Sequence, residues 1–137
     1  MPPFAARDAL VATMILTAAA DGAMSEPESR VIGAALNTLP ALLGFADERF
    51  GEISAVVVEA LGEEDGLDRV IETLAESLPP NLRETAYALA CDVAAADGSV
   101  ALEEMRMLEL LRHSFGLERL IAAGIERGAR ARFQRPA

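Results

Sequence analysis

Two short stretches carry acids at a spacing that could do chemistry. The first, Ala94-Ala95-Ala96-Asp97-Gly98-Ser99-Val100-Ala101-Leu102-Glu103-Glu104, reads as a helix end, a tight acidic turn and a new helix start. The second, Ala18-Ala19-Ala20-Asp21-Gly22-Ala23-Met24-Ser25-Glu26-Pro27-Glu28, repeats it upstream. Asp97 and Asp21, Gly98 and Gly22, and Glu104 and Glu28 each lie 76 positions apart, and the register runs on through Arg106 over Arg30 and Leu108 over Ile32. Asp-Gly-x-Val-x-x-x-Glu has the spacing of the second half of a calcium-binding EF-hand loop, from the ligand at loop position five to the closing Glu. The first half is missing: Val93 and Ala95, or Thr17 and Ala19, stand where the first two Asp ligands belong. An EF-hand is therefore excluded.

What survives is a sharp turn with one carboxylate at its apex and another at the next helix start. A hard cation takes six or more oxygens, so one turn cannot suffice. If the two turns meet, Asp21, Glu28, Asp92, Asp97 and Glu104 could pool theirs, and Ca²⁺ is the divalent cation such a set suits first. Asp92 enters because it interrupts the otherwise apolar run Thr85–Ala96. The competing reading is capping. Gly22 and Gly98 suit helix ends, Asp21 and Asp97 can accept amide hydrogens, and Glu28 and Glu104 suit the third position of a helix. Each such cap contributes roughly 1 kcal/mol without any ligand. On that reading Asp92 pairs with an arginine such as Arg30, Arg83 or Arg106.

Little other chemistry is on offer. The chain of 137 residues has one Cys, one His and no Lys. An intramolecular disulfide, a Cys-rich zinc site, a His-rich metal site, Schiff-base chemistry and a P-loop are all excluded. Cys91 reads as an inert buried thiol, Tyr87 as core, and His113 as a lone histidine without a paired nucleophile. No catalytic residue is assigned, and a non-enzymatic role is expected.

The elements that must position the acids follow from periodicity and punctuation. Helix 1 is expected from about 5 to 20, apolar nearly all round and therefore central. Gly22 is its left-handed end, with Met24 packing back, and Ser25 with Glu28 forms a capping box ahead of helix 2. Pro27 fits the first turn, and helix 2 stops before Pro40. Helix 3 is expected over about 47–61 and helix 4 from about 67 to 78, both amphipathic and outside. Pro79-Pro80 separates helix 4 from helix 5, which starts near Asn81 and mirrors helix 1. Helix 6, from about 101 to 115, mirrors helix 2, and helix 7 follows from Glu118. The expectation is one all-α domain over 1–137, a bundle of about seven helices. Its repeat halves span about 6–39 and 82–115, with helices 1 and 5 as core pair.

Composition supports that frame. Apolar residues make up 52% and aromatics only 4%, as closely packed Ala- and Leu-rich helices require. The net charge is −10, with all twelve bases arginine and six of them from Arg112 onward. So acidic a body repels nucleic-acid phosphates, and nucleic acid is not an expected partner. The run from Ala9 to Ala20 is not a signal peptide, because Asp8 cancels Arg7 and leaves no positive flank. A cytoplasmic location is expected, with peripheral membrane contact not indicated.

The twin Ala-Ala-Ala-Asp-Gly turns, each followed by an acid-led helix, and the Leu-rich and Arg-rich final helices resemble the tellurite-resistance TerB family. The related helical domain of the DjlA co-chaperone is similar. The resemblance covers about 6–132 and is strongest at Tyr87-Ala88-Leu89-Ala90-Cys91-Asp92-Val93-Ala94-Ala95-Ala96-Asp97-Gly98. In the first copy Leu16 stands in place of Asp92. The resemblance implies a compact seven-helix fold without known enzymatic activity, acting with protein partners in stress and metal resistance. It also implies a divalent cation held by Asp92, Asp97 and Glu104, with Asp21 and Glu28 as counterparts.

Overall fold

The computed structural model describes residues 1–136, and for Asp21 the backbone only. Among them are seven α-helices and no strand: α1 Ala6–Ala18, α2 Glu26–Thr38, α3 Glu48–Leu61, α4 Gly66–Ser77, α5 Pro80–Ala95, α6 Leu102–Ser114 and α7 Arg119–Arg132. Short 3-10 turns extend α1 through Ala19–Asp21 and follow α2 at Pro40–Leu42.

Helix α1 is buried from Asp8 to Ala18 and packs most extensively on α5, the other Ala-rich apolar helix. Small side chains let the two backbones approach, and the remaining elements close around the pair. Helix α2 lies on α5, α6 lies on α5 and on the end of α1, α3 and α4 cover α1, and α7 covers α5. The polar residues of α1 are satisfied locally. Thr13 Oγ1 donates to the Ala9 carbonyl at 2.7 Å and Thr17 Oγ1 to the Thr13 carbonyl at 2.9 Å. Asp8 is paired with Arg49 of α3 instead of with its neighbour Arg7.

The expected punctuation is present. Gly22 and Gly98 hold φ of 108° and 87°, a region that costs a side chain energy and glycine almost none. Ser25 caps α2, and Gly116 follows α6 at φ 67°. One local expectation is corrected: Met24 does not fold back into the core but stays 37% exposed, beside a groove with Ile32, Leu36 and Phe50. No helix of the described residues is long and apolar enough to cross a membrane.

Candidate functional site at the paired turns

The capping box at α2 positions the first acid. The Ser25 hydroxyl accepts the Glu28 amide hydrogen at 3.2 Å, and Glu28 Oε1 accepts the Ser25 amide hydrogen at 2.7 Å. Capping glutamates ordinarily stand in solvent, yet the whole of Glu28 is inaccessible. Its second oxygen, Oε2, is buried without a hydrogen-bond partner among the described residues. An uncompensated carboxylate oxygen away from water is costly, so this atom is the most unusual polar group of the first turn.

The second turn is built alike with one omission. Glu104 is 2% exposed and its Oε1 accepts the Ala101 amide hydrogen at 3.3 Å. Ala101 occupies the position of Ser25 with the same extended backbone, φ −68° and ψ 155°, but has no hydroxyl to return a bond. The turns do meet. Ser25 Oγ donates to the Asp97 carboxylate, 3.1 Å from Oδ1, across 72 residues of sequence. Helix α6 also packs on the 3-10 turn that ends at Asp21.

Asp92 is not part of that meeting. It is held by Arg132 of α7, an ion pair with the carboxylate side chain 22% exposed. The arginine differs from the three that sequence suggested, because nothing local indicates that α7 returns across α5. The side chain of Asp21 lies outside the described residues. Among the described residues no group of three His, Cys, Asp or Glu side chains is gathered for a metal. The structure thus links Ser25 and Asp97, buries Glu28 and Glu104, and sends Asp92 elsewhere.

A second polar cluster was not expected from sequence. The Tyr87 hydroxyl, on a residue 1% exposed, donates to Glu126 Oε2 of α7 at 2.6 Å. Burial, followed by this bond to a carboxylate, raises the Tyr87 pKa well above its ordinary value. Cys91, one turn further along α5, is 2% exposed, and burial with the nearby Glu126 charge pushes its thiol up to about 12. At neutral pH it is a thiol and a poor nucleophile, in keeping with its expected inertness. The repeat register held a signal for this cluster. Val11 and Phe50 lie 76 positions before Tyr87 and Glu126, so both partners replace apolar residues of the first half.

A model of the family described as tellurite resistance protein TerB matches residues 7–124. The chain belongs to the TerB family. The match spans both Asp-Gly turns and six of the seven helices with the start of α7, so the all-helical architecture is that of TerB as a family. No curated protein and no solved structure matches this TerB chain.

Proposed function

We infer that this TerB-family protein is a non-enzymatic helical module that holds a divalent cation, Ca²⁺ first, at the paired Asp-Gly turns and engages protein partners. The observation that carries the reading is Glu28 Oε2, a carboxylate oxygen wholly buried with no hydrogen-bond partner among the described residues. Capping accounts for Oε1 and leaves Oε2 unexplained. A hard cation accounts for both the burial and the missing partner. Glu28 would be joined by Asp97, Glu104 and Asp21, all oxygen donors of the kind Ca²⁺ and Mg²⁺ select, while Asp92 is committed to Arg132. The cation would tie the two halves together and so couple its own binding to stability.

Thermal melting with Ca²⁺ or with EDTA tests this on wild type and Glu28→Gln. The expected result is a higher melting temperature in Ca²⁺ for wild type and no cation dependence for Glu28→Gln. A second reading, an interaction module whose acids only cap helices, is favoured by the capping box at Ser25 and the Asp92–Arg132 pair. It expects superimposable melts in Ca²⁺ and EDTA for both proteins.

A further inference from the structure

The repeat continues into the outer helices, and there the halves differ in chemistry. Ile53 of α3 and Ala129 of α7 stand 76 apart and are both buried, so the two helices cover α1 and α5 equivalently. Each half leaves a cleft beside its Asp-Gly turn. The one in the first half, about 220 Å³, is lined by Met24, Ile32, Leu36 and Phe50 among others and by no charged side chain. The one in the second half, about 230 Å³, lies between α5, α6, α7 and residues 98–100, and Glu126 lines it where the first half has Phe50.

Glu126 is the group that asks for a ligand. Its Oε2 takes the Tyr87 hydroxyl, and among the described residues it makes no ion pair. Beside it stand Val100, Met105 and Phe133, which give the cleft apolar walls. Replacing a ring by a partly buried carboxylate costs solvation that one hydroxyl offsets only in part. The volume exceeds the ~150 Å³ of an apolar cavity known to take up benzene. Arg130, exposed on the next turn of α7, edges the same cleft and disfavours a second positive charge there.

We propose that this cleft binds a small amphipathic monoamine, with its ammonium on the Glu126 carboxylate and its hydrocarbon body against Val100, Met105 and Phe133. The polar end donates hydrogen bonds to a charged acceptor, the strongest type available at neutral pH. Arg130 selects against diamines and the apolar walls against fully hydrated cations. Val100 of the second Asp-Gly turn is one of its walls, so the titration is run in EDTA to separate amine binding from any cation at the turns.

An amide ¹H–¹⁵N titration of the full chain with phenethylamine, in EDTA and at neutral pH, tests the proposal. Saturable shifts are expected at Ala95, Gly98, Val100 and Phe133. Glu126→Gln is expected to weaken binding about tenfold, the size of one charge-assisted hydrogen bond. Glu126→Phe, which copies Phe50, is expected to abolish it, with undisturbed first-half signals showing that the fold is kept. If Glu126→Phe fails to fold, Glu126→Gln decides alone. Phenylpropionate, of opposite charge, is expected to leave the spectrum unchanged. An absence of saturable shifts with the amine, equal binding by Glu126→Gln, or equal binding of phenylpropionate overturns the proposal.

Discussion

Glu28 and Glu104 are glutamates doing a surface residue's job from inside the protein. Each accepts the amide hydrogen of its helix cap, yet they are 0% and 2% exposed. Their caps differ by one hydroxyl, and that difference is testable in both directions. Ser25→Ala removes both the Glu28 amide's acceptor and the bond to Asp97, and should cost about 1 kcal/mol in urea denaturation. Ala101→Ser adds the missing oxygen at a backbone already extended, and should stabilise by about 0.5–1 kcal/mol. No gain from Ala101→Ser would mean that the second turn does not reproduce the first. Cys91 offers a pH test. Its pKa is raised from 9.0 to about 12 in the folded chain, so above 9.0 the unfolded state loses a proton that the folded state keeps. Stability is therefore complete below about 9 and declines as pH rises toward about 12. Tyr87 shifts in the same direction. Cys91→Ala should make the alkaline decline shallower, as followed by urea midpoints across that range. An unchanged slope would remove the thiol from the account.

At the scale of elements, starts and stops were legible because they are local. Gly22, Gly98 and Gly116 take positive φ where sequence placed helix ends, and Pro79-Pro80 separates α4 from α5. The join between α3 and α4 depends on closer contact than sequence conveys. A Cβ on Gly66 would stand 1.9 Å from the Ala60 carbonyl oxygen, and backbone cannot step aside as a side chain would. Gly66→Ala should therefore destabilise by about 3 kcal/mol in denaturant titration. A loss near zero would show that the α3–α4 join relaxes freely. The helix-to-helix polar bonds were not legible. Asp92 meets Arg132 across 40 residues and Tyr87 meets Glu126 across 39, and both need α7 to lie on α5. Sequence placed a helix after Glu118 but not which helix it covers.

For the whole molecule, the repeat is the organising fact. Two apolar helices form the centre, each half adds an acidic turn and a covering helix, and Ser25 joins the two turns across 72 residues of sequence. The fold was legible because duplication wrote it twice. The candidate site was legible only in outline: spacing placed Asp97, Glu28 and Glu104 at the two turns, while burial of both glutamates and removal of Asp92 to Arg132 emerge from packing alone. Two departures from symmetry, Asp92 over Leu16 and Glu126 over Phe50, put carboxylates of the second half on α5 and α7. A cation at the turns would belong to both halves at once. Calorimetric titration of Ca²⁺ into EDTA-stripped protein, beside Glu28→Gln, measures that claim without reference to stability. The account predicts a saturable heat for wild type that Glu28→Gln abolishes. Wild-type protein that takes up no Ca²⁺ at millimolar concentration, or a variant that binds as wild type does, would contradict it.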